Sequence, residues 1–263
     1  MIRSLYTAAT GMKANQLYVD NISNNLANVS VTGFKKSRIE FEDLMYQTLK
    51  EPGGETSSGI QQPVGVQIGL GTKVTSTSRI FTQGSLERTG NPTDLAIEGD
   101  GFFQVKMPDG GIAYSRTGSF KINSEGALVN GNGQYLEPPV TVPQGALGDI
   151  VIDTEGNIFA QMSLLENPEQ IGTIELARFI NPQGLDSMGG NLYKKSGASG
   201  EPLVGRPGEE NLGTVRAQFL EMSNVQMVEE MVAMIVAQRA YEISSKAIST
   251  SDQMLQTANQ LKN

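Results

Sequence analysis

The two ends of this chain carry the periodicity of long amphipathic helices, whereas the stretch between them carries that of strands and turns. Near the start, apolar residues recur at alternating spacings of three and four along Ile2, Leu5, Ala9, Met12, Val19 and Leu26. Near the end, the same spacing recurs along Val228, Val232, Val236, Ala240, Ile243, Ala247, Met254, Ala258 and Leu261. This spacing predicts one narrow apolar stripe on each helix, as in the seam of a coiled coil. Because no other long helical pattern could cover the stripes, they are predicted to pair with each other, with other copies of the chain, or with both.

Composition excludes several classes of function. The net charge of −8 argues against a nucleic-acid interface, which needs a basic face. The absence of Cys and His removes disulfides, thiolate sites and the commonest general acid, base and metal ligand, so no cofactor is expected. No apolar run reaches 18 residues, so direct membrane insertion is not expected either. The first ten residues lack the apolar core and cleavage site of a classical signal peptide.

The region from Val64 to about Val215 alternates between apolar and polar residues in short runs separated by Gly, Asp and Asn, which predicts strands and turns. The residues from Phe34 to Leu49 are compatible with a short helix or an extended arm. The Gly- and Ser-rich residues from Leu185 to Pro207 are predicted to loop across the surface. Ser223 or Asn224 is the predicted N-cap of the final helix.

The predicted fold class is therefore α+β, with the N- and C-terminal long helices paired as a coiled coil and a β-rich middle domain inserted between them. The expected domains are a discontinuous helical one at 1–34 and 216–263, an extended connector at 35–75, and a β-rich outer domain at 76–215. The connector contains a Gly-, Ser-, Gln- and Pro-rich stretch whose composition is that of a linker or an exposed loop, with the notable members Glu51, Pro52, Gly53, Gly54, Gln61, Gln62 and Pro63.

The sequence evidence for a catalytic or metal-binding site is weak. A carboxylate pair could in principle come from Asp94, Glu98, Asp100 and Asp109, but acidic residues at turns are more often there for turn formation and solubility. The residues that follow Asp153 begin like a calcium loop, yet Leu164 stands where a bidentate Glu is required. The sequence predicts no enzyme, no catalytic site and no metal site.

Four asparagines stand out on the first helix. Asn21, Asn24, Asn25 and Asn28 fall at i, i+3, i+4 and i+7 and therefore line one face. Asparagine is a poor helix former, so four of them on one face lower helix stability unless their amides find partners. Either this face is solvated, or the amides form a hydrogen-bonded seam that fixes the register of packed helices.

Several runs of residues resemble those of a known protein family. The run NNLANVSVTGFK from Asn24 to Lys35 closely resembles the N-terminal signature of bacterial flagellar rod and hook proteins. The runs GDGFFQV from Gly99 and YSRTGSF from Tyr114 are similar to the family's middle region, and SNV from Ser223 followed by QRAYE from Gln238 is similar to its closing helix. The resemblance covers essentially the whole chain. It is greatest to the distal rod subfamily, because the insert from Tyr46 to Lys73 resembles a stretch that distal rod subunits carry and most hook subunits lack.

The resemblance implies a structural subunit that polymerises with itself into a helical tube, transmits torque from motor to hook and leaves a central export channel. It further implies the proximal rod proteins, the hook protein and the surrounding ring proteins as neighbours, and export by the flagellar type III apparatus without a cleaved signal into a periplasm-spanning basal body. The insert would fill the gap between neighbouring subunits. The expected subunit interface consists of the helical seams and asparagines, namely Ile2, Leu5, Met12, Val19, Asn21, Asn24, Asn25, Leu26, Asn28, Val228, Val232, Val236, Ile243, Ala247, Met254 and Leu261.

Three alternatives remain open from the sequence. Another axial subunit, either a proximal rod or a short hook protein, is one alternative, and a hook protein would tolerate deletion of Glu51 to Pro63 better than a rigid rod subunit would. An enzyme such as a peptidoglycan hydrolase would need the acidic cluster for catalysis. A surface adhesin on a coiled-coil stalk would form a stable soluble oligomer before any assembly.

Overall fold

The computed structural model describes residues 2–50, 64–143, 150–160 and 168–260. The chain divides into two compact units, and each is described separately below. The terminal unit comprises Met1–Leu26, Ser37–Ser78 and Gln226–Asn263, and the central unit comprises Ala27–Lys36 and Arg79–Val225. Two long helices at the chain ends and a β-rich middle confirm the predicted α+β class.

The terminal unit contains the two helices and two pairs of strands. Its elements are α1 (Ile2–Ala27), β1 (Ser37–Asp43), β2 (Tyr46–Lys50), β3 (Val66–Gly69), β4 (Thr72–Arg79, whose last residue belongs to the central unit) and α2 (Met227–Gln260). Strand β1 pairs with β4, and β2 pairs antiparallel with β3 so that Tyr46 lies opposite Gly69. The Leu44 N–H donates to the Gly71 carbonyl at 2.8 Å and joins the two pairs into one ribbon. The extended alternative for residues 34–49 is thus correct, and the helical one is wrong. Residues 51–63 lie outside the described part of the chain.

Helices α1 and α2 contact each other in an antiparallel register. The Ser4 and Ser251 hydroxyls are 3.4 Å apart, a Cβ on Gly11 would lie 3.7 Å from the Ser244 hydroxyl, and the Asn25 amide donates to Glu230 at 3.2 Å. These pairs are spaced by seven residues or a multiple of seven on both helices, which is the repeat of a coiled coil. The residues of α2 that meet α1 here, Ser251, Ser244 and Glu230, are therefore polar. They lie on a different face from Val228, Val232 and Val236, which are called the valine stripe below.

Helix α1 ends where β-branched residues begin and a glycine turns the chain. It stops at Ala27, and Gly33 follows with a φ of 69°, in the left-handed region that favours glycine. A Cβ on Gly33 would lie 2.6 Å from the Thr117 hydroxyl and 2.7 Å from its backbone nitrogen. Only glycine fits at this position.

The start of α2 differs from the predicted cap. The helix begins at Met227, three or four residues after the predicted N-cap residues. The Ser223 hydroxyl instead accepts from the Val225 N–H at 3.2 Å, and the Asn224 amide donates to the Ile80 carbonyl at 2.8 Å. Both side chains are therefore committed to the central unit and do not cap the helix.

The central unit is built of short strands. They are β5 (Leu86–Arg88), β6 (Leu95–Glu98), β7 (Phe102–Lys106), β8 (Ile112–Ser115), β9 (Lys121–Ile122), β10 (Leu128–Val129), β11 (Tyr135–Glu137), β12 (Ile150–Ile152), β13 (Asn157–Ala160), β14 (Glu169–Thr173), β15 (Leu176–Arg178), β16 (Asp186–Gly189), β17 (Leu192–Lys194), β18 (Leu203–Gly205), β19 (Thr214–Ala217) and β20 (Phe219–Glu221). The largest sheet runs in the order β16-β17-β8-β7-β11-β10-β9, with β15 pairing both β7 and β18. Smaller sheets are β12-β13-β14, β19-β6 and β20-β5.

The main sheet lies between two hydrophobic clusters because side chains alternate across a strand. On β7, Phe103 and Val105 are buried, and Phe103 packs in a large aliphatic cluster with Leu95, Ile97 and Leu136. Phe102 points the other way, into an aromatic cluster. The members of that cluster are Phe81, Phe102, Tyr114, Ala177, Phe179, Leu185 and Tyr193.

The Gly- and Ser-rich segment from Leu185 to Pro207 is not the surface loop that its composition predicted. It contains β16, β17 and β18, and its Tyr193 is only 2% exposed. The ring of Tyr193 packs edge-on against Phe81, with ring centroids 5.4 Å apart. The prediction failed because strands of three or four residues between glycines are too short to show a period.

The buried tyrosine makes stability sensitive to alkali. Burial raises the pKa of Tyr193 above its ordinary value of 10.0, against the opposing influence of Arg79 and Arg116. A pKa that is higher in the folded state stabilises the fold fully below pH 10, and this stabilisation is lost as the pH rises through the folded-state pKa. We therefore expect Tyr193→Phe to lose less of its free energy of unfolding above pH 10 than the parent protein. Urea unfolding at a series of alkaline pH values measures this, and identical pH profiles would contradict it.

Candidate functional site: a buried ionic junction of the chain ends

A buried carboxylate joins the segment after α1 to the segment before α2. The Glu221 side chain is fully buried and accepts from the Lys35 ammonium at 2.6 Å and from Nε of Arg116 at 3.0 Å. The Gly84 N–H adds a third donor at 2.9 Å. Buried charges persist in proteins only when they are paired and hydrogen-bonded, and Glu221 meets both conditions.

The two cations are also fixed by backbone carbonyls. Lys35 donates to the Thr82 carbonyl at 2.8 Å, and Nη1 of Arg116 donates to the carbonyls of Gly99 and Gly101 at 2.9 and 2.7 Å. Burial lowers the pKa of Lys35 from its ordinary value, while Glu221 opposes that shift. The charge on Lys35 therefore depends on Glu221, because burial alone favours the neutral amine.

Neutral hydrogen bonds reinforce the junction. The Gly33 N–H donates to the Glu221 carbonyl at 2.8 Å, and the Lys36 N–H donates to the Asn224 side-chain oxygen at 2.7 Å. Asn224 in turn donates to the Ile80 and Thr82 carbonyls, at 2.8 and 3.1 Å. These contacts bring residues 33–36 and 221–224 side by side, so the chain leaves α1 and returns toward α2 at one place.

The junction contains residues of three of the sequence motifs named above. Lys35 ends the run NNLANVSVTGFK, Gly99 and Gly101 of the run GDGFFQV supply backbone carbonyls, and Arg116 of the run YSRTGSF is the second cation. Glu221, the carboxylate that they share, was not predicted from the sequence. If Lys35 and Arg116 are buried, they require a carboxylate partner. The sequence does not indicate which of its 28 acidic residues that partner is.

Asn25 forms a second buried polar site, within the terminal unit. It is 1% exposed; its amide donates to the Ser37 carbonyl at 2.9 Å, and its side-chain oxygen accepts from the Ser37 N–H at 2.9 Å. This pair of bonds imitates a β-ladder, and the contact with Glu230 ties the same amide to α2. Asn21 donates to the Ser37 hydroxyl at 3.3 Å. The amides of Asn21 and Asn25 have thus found partners; Asn24 is exposed and Asn28 half-buried, and neither lacks a partner.

The apolar residues of the predicted seams differ in burial between the helices. On α1, Leu5, Met12, Val19 and Leu26 are half-buried. On α2, every described member is exposed, and these are Val228, Val232, Val236, Ile243, Ala247 and Met254. Ile2 lies in α1, and Leu261 falls outside the described residues, as do the named residues of the insert. Whether these surfaces form subunit interfaces is still a prediction.

The acidic residues considered for catalysis do not form one site, and each has a different structural partner. Asp94 is buried and accepts from the Thr89 hydroxyl at 2.7 Å, whereas Glu98 pairs with Arg216 at 2.6 Å on the surface. Asp109 accepts from the Gly111 N–H in its own turn at 3.2 Å. Over the described ranges, the acidic side chains form no group that could hold a metal ion. None of the helices described is both long and apolar enough to cross a membrane.

Apolar surface is distributed very unevenly between the units. Of the 26 exposed large hydrophobic side chains among the described residues, 18 belong to the terminal unit. In that unit only Ala14, Ile22 and Ala237 are buried hydrophobic residues in the described part. Exposed apolar patches of this extent mark interaction surfaces. The fold therefore defines an assembly subunit whose terminal unit leaves many large apolar side chains exposed.

Comparison with known proteins agrees with this class. Three family models match: a flagella basal body rod protein model at residues 5–35, the flagellar hook protein FlgE/F/G D1 domain at 96–160, and the flagellar basal body rod FlgEFG protein C-terminal model at 216–261. The flagellar basal-body rod protein FlgG of Borreliella burgdorferi is 51% identical, covering 100% of this chain and 99% of its own length. The FlgG proteins of Buchnera aphidicola and Caulobacter vibrioides are 47% and 44% identical, each over 99% of this chain and 100% of their own.

The chain belongs to the flagellar basal-body rod protein family. It is a structural subunit of the rod, as its relatives are, and not an enzyme.

Removal of the shared carboxylate tests the junction. Glu221→Gln would leave Lys35 and Arg116 as buried cations without a counter-ion, and we expect a loss of about 3–5 kcal/mol in the free energy of unfolding. The matched control is Glu98→Gln, which breaks a half-exposed pair and should cost about 1 kcal/mol or less. Urea unfolding of the purified monomer measures both. Equal losses in the two variants would contradict the assignment of Glu221 as the organising charge.

Asn25 provides an independent test in the terminal unit. Asn25→Ala would leave the Ser37 backbone groups without their amide partners, and we expect a loss of about 2 kcal/mol. Ser23→Ala removes an exposed hydroxyl that only bonds back to the Val19 carbonyl, so it should change stability by less than about 0.5 kcal/mol. Circular dichroism at 222 nm during urea unfolding follows the helices. A cost for Asn25→Ala no greater than that of the control would show that the amide pairing does not hold this unit together.

Proposed function

We propose that this chain is the subunit of the distal rod and polymerises with itself into a helical tube that transmits torque from motor to hook around a central export channel. The observation that carries the proposal is the uncovered apolar surface of the terminal unit. Side chains such as Val228 (74%), Val236 (60%) and Ile243 (70%) are left exposed by the rest of the described structure. Burying a side chain of this size stabilises an assembly by roughly 1.5–3 kcal/mol.

The shape of this surface favours open assembly. The exposed stripe on α2 runs from Val228 to Met254, a length of about 40 Å at 1.5 Å per residue. A stripe on one helix that meets a different face of the next copy makes a heterologous contact, and heterologous contacts that do not close generate helical filaments. The antiparallel α1–α2 pair, with its seven-residue repeat, supports pairing of the terminal helices as a coiled coil within each subunit, which leaves the valine stripe for a neighbour.

The ribbon is the second proposed contact between subunits. Both β2 and β3 are exposed, with Tyr46 at 55%, Leu49 at 54% and Val66 at 49%. An isolated two-stranded hairpin is marginally stable in water, so apolar side chains on such a ribbon need cover from outside it. We place this ribbon in the gap between neighbouring subunits.

The proposed neighbours follow from the position in the rod. The proximal rod proteins would lie at one end of the tube, the hook protein at the other, and the ring proteins around it, in a basal body that spans the periplasm. Delivery would use the flagellar type III export apparatus, without a cleaved signal. A terminal unit with few buried side chains supports this route, because it costs little to unfold for export.

Imaging of basal bodies by cryo-electron tomography in a strain without this gene tests the proposal. The expected result is a truncated rod that lacks its distal segment and carries no hook. A finished rod without a hook would move the chain to the hook position, and an intact motor and filament would overturn a structural role. Complementation with the parent gene should restore the distal segment.

A single exposed valine tests the proposed interface. Val232→Asn places a polar amide on the stripe of α2, where Val232 is 56% exposed. We expect the free energy of unfolding of the monomer to change by less than about 0.5 kcal/mol, because the site is on the surface. Rod assembly and swimming should nevertheless be lost or strongly reduced. Val204→Asn, at a 44% exposed valine of the central unit, is the matched control and should retain motility. Normal motility of both variants would exclude the stripe as an interface.

A further inference from the structure

A small cavity in the central unit combines aromatic walls with two arginines, Arg116 and Arg178, and one carboxylate, Asp100. It has a volume of about 130 Å³ and lies where the Gly99–Gly101 turn faces the residues that follow β15. Phe81, Phe102 and Phe179 line it, and their edge-to-face contacts, at 5.4 and 5.8 Å between ring centroids, hold the walls in place. The engineered cavity that binds benzene has about 150 Å³, so this one has room for a single short side chain.

The deeper arginine has donors to spare. Arg116 is 4% exposed, and its Nε and Nη1 atoms are taken by Glu221, Gly99 and Gly101. Its Nη2 atom takes part in none of these bonds, and Arg116 lines the cavity. An acceptor placed in the cavity would form a charge-assisted hydrogen bond with this guanidinium.

The outer arginine is loosely held. Arg178 lies 4.0 Å from Asp100, beyond hydrogen-bond distance, and the Asp100 side chain is 76% exposed. An exposed ion pair with this geometry contributes little, so the guanidinium of Arg178 is available to another acceptor. The cavity thus presents guanidinium donors from two arginines beside its aromatic walls.

We propose that this cavity receives an acidic side chain of a second copy of the chain, an inference that rests on the proposed function. A planar guanidinium matches a carboxylate better than any other side chain, and the aromatic walls suit the short apolar stem of Asp or Glu. The net charge of −8 means that the surface of another copy is rich in such groups.

The rim of the cavity identifies the source of the carboxylate as a macromolecule. Ile180 lines the rim and is 85% exposed, the highest exposure among the large hydrophobic residues described. A free carboxylate ion would leave Ile180 in water, whereas a protein surface that delivers the acidic side chain would cover it. A polymer of this chain brings such a surface to every subunit except those at the tube ends.

Photo-crosslinking in assembled rods tests the proposal. The full chain with p-benzoylphenylalanine in place of Ile180 is expressed in cells that lack the parent gene, and isolated basal bodies are irradiated and analysed by mass spectrometry. We expect a dimer of the chain in which residue 180 is joined to a peptide of the second copy that contains Asp or Glu. Adding Arg178→Glu should lower the yield roughly tenfold or more, as expected for an interfacial charge pair turned repulsive. Asp100→Asn, which removes the competing carboxylate, should raise the yield.

Arg216→Glu is the matched control, because Arg216 is another surface arginine in an ion pair and does not line the cavity. It should leave the cross-link yield unchanged. If Arg178→Glu prevents assembly while its monomer unfolds at the parent urea concentration, that outcome also supports the proposal, provided that a charge reversal to Lys at the cross-linked acidic residue restores assembly. Rods that contain the chain but show no dimer, a cross-link to a different protein, or a yield unaffected by Arg178→Glu would overturn it. Basal bodies without the chain would overturn the proposed function itself.

Discussion

The burial of Glu221 between Lys35 and Arg116 is the interaction on which the path of the chain depends. The three residues are at least 81 positions apart in the sequence, and Lys35 is 186 and Arg116 is 105 residues from Glu221. The penalty for an unpaired buried charge is several kcal/mol, so a path that buried either cation without Glu221 would be strongly disfavoured. The cluster therefore holds residues 33–36 beside residues 221–224, and Gly33 and Asn224 complete it through neutral hydrogen bonds.

The two units satisfy their side chains in different ways. The central unit buries its apolar side chains in two hydrophobic clusters and its charges in the ionic junction. The terminal unit has antiparallel helices that meet through Ser4, Gly11, Asn25 and their partners, while most of the large apolar side chains of α2 are exposed. Small and polar residues bury little area and contribute little stability, but they fix the register. Our proposal assigns the exposed apolar side chains to contacts with neighbouring subunits.

The sequence predicted the elements whose signal is local. The two terminal helices followed from periodicity over more than 20 residues, and the requirement for amide partners followed from the poor helix propensity of asparagine. Gly33 belongs to the signature from Asn24 to Lys35, and its φ of 69° with Thr117 close by explains why glycine stands there. The resemblance to rod and hook proteins supplied the family, which the comparisons confirmed.

The parts that the sequence did not predict depend on contacts between distant residues. Nothing near Glu221 distinguishes it from other acidic residues, because its partners lie in other segments of the chain. The strands around Tyr193 are too short to show a period, and the start of α2 shifted because Ser223 and Asn224 serve the central unit. The polar face that joins α2 to α1 was also not predicted. The apolar spacing of α2 indicated the valine stripe, whereas the contacts with α1 are made by Glu230, Ser244 and Ser251.

Hydrogen exchange of amide protons, read by mass spectrometry in the purified monomer and in isolated basal bodies, tests whether assembly covers the apolar surface of the terminal unit. We expect rapid exchange along α2 in the monomer, strong protection of the same amides in the rod, and protection of the central unit in both states. Equal protection of α2 in monomer and rod would show that the terminal unit is complete without neighbours, and it would contradict the claim that assembly covers its apolar surface.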